Sequence, residues 1–566
     1  MHGPPATEAS HQIEALTQAV EELRRRVAAL EQWSVTSGAN ITPQPAPAAI
    51  PSSELADVSP GILAALGRLL LGIAGAYLLR AITEAGLVPQ LVGTILGLLY
   101  AAGWLVSTVR ISIGSRISVA MHGITAACIV APLLWEATVR FHTVPAAASA
   151  FVLALFVILG QAFAWQRDHS ALAGVTAFAG AATAIALIIA TLDPVPFAVA
   201  LALAAAVVEW GAYRDRALSW RWIVALSCDF CAFLLLYLIT RPQGLPEGYA
   251  PVPVVAVGTL LIALAATYVT STALRTLARG TAITGFEIVQ IVLAAALVIG
   301  GGLRVSHGAG PLPVLIAIVC LVLGAACYLA AFTGLAGGSN FHAYATFALL
   351  LILIGGALSP WSASMLWTAM ALLATALAAA RPRNTAAMHA PIYLLAAAWA
   401  SGLLLYSASA LTGASTLRSS SLNAASTVCA IAAAIAYALM LGSPKLRVLA
   451  WTERIPRALI AALLCWTLAG LACGALLHIQ VEPALASTIR TIVLSIVAIT
   501  LAWFGSSKNL RELIWILFPW MLFGAVKLAA EDFEQGRSAT LFLSLLVYGG
   551  TLIALPRLLK RGSTPA

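Results

Sequence analysis

Long apolar runs alternate with short polar turns along this chain from Gly61 to Arg561. Each run is about 20 residues long, the length at which an α-helix crosses the hydrocarbon core of a bilayer. The pattern therefore predicts an all-α, polytopic integral membrane protein with about 18 transmembrane helices. The predicted spans are 61–79, 88–109, 117–135, 144–165, 171–191, 194–213, 222–240, 250–273, 283–303, 311–334, 340–358, 361–380, 389–411, 421–441, 457–478, 485–504, 511–530 and 538–558. Glycine-rich junctions near residues 300 and 334 leave a merged or re-entrant helix open there.

A heptad pattern precedes the first span. Apolar residues occupy every a and d position, with β-branched residues or Leu placed as in parallel two-stranded coiled coils. These core positions are Ile13, Leu16, Val20, Leu23, Val27 and Leu30. We therefore predict a cytoplasmic coiled-coil segment over 1–33 that joins copies of the chain through residues 8–33. A trimeric coiled coil and a single amphipathic helix lying on the protein or the bilayer are the alternatives.

The remainder of the chain divides into a tether and a membrane domain. Residues 34–60 are rich in Pro, Ala and Ser, a composition typical of a disordered linker. The transmembrane helical domain is expected over 61–561. Its loops are short, which excludes a soluble catalytic domain between the helices.

The composition agrees with the predicted membrane protein and excludes a soluble fold. Hydrophobic residues make up 61% of the chain and charged residues 9%, with a mean hydropathy of +0.95. An average soluble domain carries about 25% charged residues. The net charge of +9 comes from basic residues between apolar runs rather than from a basic stripe with interleaved aromatics. We therefore expect the lipid bilayer as partner and no nucleic acid.

The loop charges predict an orientation. Most arginines and lysines between spans follow even-numbered predicted helices. The loops after odd-numbered helices hold Arg80, Arg140, Arg241, Arg304, Arg418, Arg490 and Arg537. Because basic loops stay on the cytoplasmic side, both termini are expected in the cytoplasm.

No motif of a known catalytic or metal centre occurs in the sequence. Searches for HExxH, GxSxG, a P-loop and a GxGxxG turn after a strand find nothing. The eight cysteines all fall inside apolar runs, and the pair Cys228 and Cys231 lacks the context of a redox or zinc motif. We expect no cofactor and no metal, and we favour a protein that is not an enzyme.

Polar residues inside the predicted spans are the candidate functional residues, because such groups are costly in hydrocarbon and usually pair or face water. Glu209 lies near Arg214 and Arg216 and is expected to snorkel to the interface. Arg68 and Asp229 enter the membrane to a similar depth from the cytoplasmic side. We therefore hypothesise that Arg68 pairs with Asp229 or, failing that, with Glu287.

Two interpretations of these intramembrane residues stay open. One is a packing salt bridge. The other is a polar cavity that opens to the cytoplasm. Its lining would be Arg68, His122, Asp229, Glu287 and Gln290.

A dense charge group stands at the predicted outer face of the last hairpin, 511–561. It consists of Lys527, Glu531, Asp532 and Arg537. Acidic residues at a helix C-terminus oppose the helix macrodipole and therefore need a partner. The residues predict either an outer lock of Lys527, Asp532 and Arg537 or a snorkelled lysine beside a solvated acidic turn.

Several stretches resemble a bacterial family of multi-pass membrane proteins of unknown function, with an N-terminal coiled coil ahead of many spanning helices. They are GRLLLGIAGAYLLRAI from Gly67, SVAMHG from Ser118, WQRDHSALAG from Trp165, SPWSASMLWTAMALL from Ser359, and the charged hairpin. The chain departs from the family at Met121 and His122, where the family is richer in glycine and polar amides. The resemblance implies the bacterial inner membrane and this architecture, and it brings no activity.

Three functions fit these patterns. The one we favour is a permease-like or flippase-like protein with a polar site in the cytoplasmic half of the bundle. The alternative is an envelope scaffold or assembly factor that oligomerises or recruits partners through its coiled coil. A membrane enzyme acting on a lipid-linked substrate ranks last, because the outward loops are too short to carry catalytic acids. The sequence names no substrate.

Overall fold

The computed structural model describes residues 21, 24–26, 52–110, 116–216, 220–380, 384–413, 422–442, 454–476, 482–507, 510–535 and 537–561. All regular secondary structure within these ranges is helical. The predicted coiled-coil core, from Ile13 to Leu30, lies outside the described residues. The dimerisation of this segment therefore stays a prediction.

Twenty α-helices follow one another from Ser52. They are α1 Ser52–Glu84, α2 Gln90–Arg110, α3 Arg116–Trp135, α4 Ala146–Arg167, α5 Ser170–Thr191, α6 Pro194–Tyr213, α7 Arg221–Thr240, α8 Val254–Ala273, α9 Gly285–Val305, α10 Pro311–Thr333, α11 Gly337–Leu358, α12 Ala363–Ala380, α13 Asn384–Ala400, α14 Leu403–Thr412, α15 Ala424–Gly442, α16 Ile455–Leu476, α17 Pro483–Ser507, α18 Arg511–Lys527, α19 Phe533–Gln535 and α20 Ser538–Arg561. Three of them, α3, α8 and α18, continue into a five-residue π-turn: Glu136–Arg140, Leu274–Ala278 and Leu528–Asp532.

The helices confirm a polytopic α-helical membrane protein. Sixteen of the described helices are long and apolar enough to cross a bilayer, and the number is 17 if the bent pair α13 and α14 is one span. Helix α1 contains the first predicted span, 61–79. Their outward faces carry large apolar side chains such as Phe151, Phe178 and Leu522, as contact with lipid requires.

The first helix begins earlier than the predicted span, and the glycine-rich junctions follow the predicted spans. Helix α1 begins at Ser52, nine residues before the predicted start at Gly61. The run Ser-Ser-Glu supplies residues that favour a helix start, which the Pro-rich composition obscured. At the glycine-rich junctions, α9 passes through Gly300–Gly302 without a break, whereas α10 ends before Gly334, which has a φ of +85°.

The thirteenth span is broken, which the apolar run over 389–411 did not indicate. Helices α13 and α14 meet at an angle of 71°. The break lies at Gly402, whose φ is +77°, a left-handed conformation that glycine adopts without steric cost. The carbonyl of Ser401, next to the break, accepts a hydrogen bond from the Asn423 side chain at 3.3 Å.

The broken span crosses the whole bundle. Helix α13 packs against the first part of α16, and Leu404 at the start of α14 accepts a hydrogen bond from Trp466 Nε1 at 3.4 Å. Further along α16, a side chain at Gly470 would collide with Ser407 of α14. Since both helices pack on α16, we treat α13 and α14 as one crossing.

The interior is packed in two halves. One core is formed by residues of α2 to α9, and two further cores are formed by residues of α11 to α16 and of α14 to α20. The halves meet where α11 begins against the turn between α8 and α9. There Thr276 and Tyr344 share a hydroxyl hydrogen bond of 2.7 Å, and the Asn340 side chain bonds the backbone of Thr281 and Ile283.

Candidate functional site

Four buried charged residues join α6, α7, α8 and α9 at one end of the first half. We name this group the Glu287 network: Glu209, Arg221, Arg275 and Glu287, together with Ser271. The membrane side on which it lies, where α8 ends and α9 begins, is called the Glu287 face. Two carboxylates against two guanidinium groups make the network electrically neutral.

Arg221, the first residue of α7, is the centre of the Glu287 network. Its Nε lies 3.0 Å from Glu209 Oε1 and its Nη2 lies 2.5 Å from Glu209 Oε2, a two-pronged ion pair of the kind that the planar guanidinium favours. Its Nη1 lies 3.3 Å from Glu287 Oε1. Phe286 covers the guanidinium, with Cζ 4.8 Å from the ring centre.

Glu287 connects this centre to the start of α9. Its Oε2 accepts hydrogen bonds from the backbone N–H of Thr284 at 2.8 Å and from the Thr284 hydroxyl at 3.0 Å, which forms a capping box at the helix N-terminus. Its Oε1 accepts from Arg221 and Arg275. The same carboxylate therefore fixes both the helix end and the two arginines.

A half-exposed rim lies outside the Glu287 network. Arg279 Nη2 lies 2.7 Å from Asp215 Oδ2, and Arg279 also donates to the carbonyl of Tyr213. Asp215 is 42% exposed and lies 3.8 Å from Arg275. The rim separates the network from the aqueous side of the membrane.

Asp229 lies two helical turns along α7 from Arg221, further into the bundle. Gln290 Nε2 of α9 is 3.0 Å from each carboxylate oxygen of Asp229. Among the described residues no arginine, lysine or histidine forms an ion pair with Asp229. The buried hydroxyl of Tyr268, on α8, has no hydrogen-bond partner among the residues that the structure describes.

A second buried group stands at the end of α18. We name it the Asp532 network: Lys527, Asp532, Ser487, Thr491 and Ser544. It joins α17, α18 and α20 on what we call the Asp532 face. Each of these side chains is at most 5% exposed.

Nearly every hydrogen-bonding group of the Lys527 and Asp532 side chains has a partner. Lys527 Nζ lies 2.6 Å from Asp532 Oδ2, 2.6 Å from the Ser487 carbonyl and 2.9 Å from Thr491 Oγ1. Asp532 Oδ1 accepts from Ser544 at 2.6 Å. The π-turn places Asp532 five residues after Lys527 yet within bonding distance, since a π-turn closes between residues five apart.

Glu531 extends this group toward α14. It pairs with Arg490 and lies 3.3 Å from Lys527 Nζ. Arg490 Nε donates to the carbonyl of Ala410 at 2.8 Å. The end of α14 is thereby tied to the Asp532 face.

The two networks lie on opposite faces of the membrane. With the bent α13 and α14 pair counted as one crossing, the chain crosses nine times between the end of α8 and the end of α18, through α9 to α12, this pair, and α15 to α18. An odd number of crossings inverts the orientation. Each network nevertheless lies at a π-turn with a buried cation. Arg275 belongs to one π-turn, and Lys527 directly precedes the other.

A buried ion pair outside the two networks was also absent from the sequence predictions. Arg457 at the start of α16 pairs with Glu512 at the start of α18. Both helices start on the Glu287 face, because they run parallel to the α13 and α14 span. Close by, ten mainly apolar residues of α15, α16, α17 and α18 line a cavity of about 270 Å³.

The structure corrects several predicted pairings. Arg68 is exposed on α1 and, in the described part of the chain, forms no ion pair with Asp229 or Glu287, whose partners are Gln290 and two arginines. Asp229, Glu287 and Gln290 do come together. Glu209 does not snorkel, because Arg221 neutralises it inside the bundle.

His122 and Arg537 also lie apart from the predicted groups. His122 Nδ1 lies 2.7 Å from the Ser118 carbonyl of its own helix, and its ring lies against Trp104. Its helix packs on α1, α2 and α5 rather than on α7 to α9. Arg537 pairs at the surface with Glu482, so the outer lock consists of Lys527, Glu531 and Asp532 without it.

Sequence reasoning missed Arg221 and Arg275 because both stand at predicted helix ends, where arginine is ordinary. No family model matches the chain, and neither a curated protein nor a solved structure matches it. The candidate sites are therefore argued from their geometry alone.

Proposed function

We propose that the protein is a permease-like transporter of the bacterial inner membrane, in which the Glu287 network and the Asp532 network close opposite ends of the pathway. The Glu287 face is the cytoplasmic one in this proposal, as the basic loops predict. The observation that carries it is the inverted placement of two buried charge networks at equivalent π-turns. Transporters built from inverted halves expose one site alternately to either side in this way.

The free-energy cost of burying the charges of both networks supports a protein whose helices move. Taking paired charges out of water costs several kcal/mol per ion, and apolar residues of similar volume often stabilise a protein equally well. A helical anchor has no need of such groups. Helices that must separate and rejoin do need such groups. Ion pairs and hydrogen bonds between them can be replaced by hydrogen bonds to water when the helices separate.

Hydrogen exchange measured by mass spectrometry tests this proposal without knowledge of the substrate. In Asp532→Asn, exchange should rise in the turn 528–537 and fall in the turn 274–285, because opening one face closes the other. Glu287→Gln should produce the opposite pattern. The variants are to be compared in lipid nanodiscs, where both faces are accessible to solvent.

Arg537→Gln is the matched control, since it breaks an exposed ion pair on the Asp532 face and should leave exchange at both turns unchanged. Ser544→Ala, which removes a single hydrogen bond to Asp532, should give a weaker form of the Asp532→Asn pattern. A rise confined to the mutated face would show that the networks are independent packing elements and would refute alternating access.

A further inference from the structure

Asp229 stands out among the buried acids because nothing described in the structure neutralises it. Glu209, Glu287, Glu512, Glu531 and Asp532 each pair with a lysine or an arginine. Asp229 is only 9% exposed, and within the described residues its side chain bonds only to the neutral amide of Gln290. An unpaired carboxylate inside a membrane protein is costly unless it carries a proton or a cation.

Gln290 is suited to both charge states of this carboxyl group. Its Nε2 lies 3.0 Å from both oxygens and can donate to the carboxylate. Rotation of the amide presents Oε1 instead, which accepts from a protonated carboxyl group. A neutral amide therefore allows Asp229 to gain and lose a proton without leaving a charge behind, which an arginine or a lysine would not.

Tyr268 gives an independent indication of a bound species. Its hydroxyl is buried and bonds to no group in the described part of the chain, although a buried hydroxyl normally finds a partner. The residue is 3% exposed and lies within electrostatic range of Asp229, Glu209 and Arg221. A buried hydroxyl without a described partner, within electrostatic range of Asp229, fits a site through which a proton passes.

The groups around Asp229 leave it as the acid that can change charge. On its own helix are Arg221, Cys228 and Cys231, and the packed helices present Glu209, Tyr268, Arg275 and Glu287. The two glutamates and two arginines are mutually neutralised. Protonation of Asp229 thus removes the net charge of the whole region.

We propose that Asp229 is the proton-binding site that drives the transport cycle, with Gln290 as its positioning residue. This rests on the proposed function. A proton from the water on the Glu287 face forms an O–H bond with an Asp229 carboxylate oxygen, and the same bond breaks when the proton is released. Glu287 and Gln290 stand one turn apart on α9, so movement of that helix affects the network and the proton site together.

Infrared difference spectroscopy of the reconstituted full chain tests the site directly. The carbonyl stretch of a protonated, buried carboxyl group should appear as the pH falls, and Asp229→Asn should abolish it. Gln290→Leu should keep the band but move it to higher frequency, because the protonated carboxyl group loses its hydrogen bond to the Gln290 amide. Arg537→Gln, which breaks only an exposed ion pair, should leave the band unchanged.

Three results would overturn the proton site: no titrating band, a band that survives Asp229→Asn, or a band that sodium replaces at constant pH. The last would assign the site to sodium. Should Asp229→Asn not fold, the frequency shift in Gln290→Leu decides alone. The test also separates the two proposals, since a band assigned to Asp229 without linked exchange at the two faces would retain the site and reject alternating access.

Discussion

Arg221 illustrates how much a single buried residue holds together in this molecule. It contacts two carboxylates on two different helices and an aromatic ring on one of them. Its removal would leave Glu209 and Glu287 close together with only Arg275 to balance them. The residue therefore matters more for the charges it compensates than for the contacts it makes.

We predict that Arg221→Met lowers the free energy of unfolding by about 3–5 kcal/mol, the usual cost of leaving a buried charge without its partner. Arg221→Met combined with Glu209→Met should recover much of this loss, because the pair is then replaced by apolar side chains. Titration with a denaturing detergent in mixed micelles measures both values.

Arg279→Met provides the comparison, since Arg279 is 37% exposed in its pair with Asp215. Its removal should cost at most about 1 kcal/mol, as is usual for surface ion pairs. Equal losses in Arg221→Met and Arg279→Met would contradict the assignment of Arg221 as the centre of a buried network.

The sequence indicated which polar residues are unusual within the spans, but not which residues they pair with. Asp229, Glu287 and Gln290 stood out because they interrupt apolar runs, and the structure brings them together. Their partners could not be found in this way. Arg275 belongs to a π-turn, which departs from the regular helical period, and Arg221 becomes a neighbour of Glu209 only through the packing of α6 on α7.

Among the helices, α13 and α14 show the strongest departure from regularity. The bend at Gly402 directs α14 so that its last turn reaches Arg490 and the Asp532 face. A Cβ at Gly402 would meet no other atom within 4 Å. The only obstacle to another residue there is the left-handed backbone.

We predict that Gly402→Ala destabilises the protein by about 1–2 kcal/mol, the cost of a left-handed conformation for a residue with a Cβ. Gly258→Ala is the control, because Gly258 lies within α8 and also has open space around it. That substitution should stabilise the protein by about 0.5–1 kcal/mol through helix propensity. The same detergent titration compares them, and a neutral Gly402→Ala would mean that the bend does not depend on glycine.

Apolar length was sufficient to predict the helices, because a bilayer requires about 20 apolar residues for each crossing. The breaks within helices were not predictable from it. Neither the bend at Gly402 nor the π-turns change the hydropathy of the run in which they lie. They arise from local backbone geometry and from the neighbours that each helix meets.

For the whole molecule, an even number of spans predicts that both ends of the membrane domain lie on the same side. Green fluorescent protein fused after Ala566 should fluoresce in a bacterial host, because it stays in the cytoplasm. The same reporter fused after Gly310, between α9 and α10, should be dark, and alkaline phosphatase should show the reverse. Equal signals at both positions would contradict the span count.

The coiled coil gives a second prediction at this scale. Deletion of residues 1–33 should lower the oligomeric mass in mild detergent to that of a monomer, because the membrane domain then lacks the predicted heptad contacts. Light scattering measures this mass. Replacement of Leu16 and Leu23 by Asp in the full chain should have the same effect, whereas an unchanged mass in both variants would place any self-association in the membrane.

The π-turns have a consequence for tracing the ancestry of this chain. A π-turn contains one residue more than the α-helical turn that it replaces. Distant relatives that lack either network should therefore align with a single-residue gap at 274–278 or at 528–532. A gap at 528–532 would mark, from sequence alone, the lineages in which Lys527 no longer meets Asp532 through a π-turn.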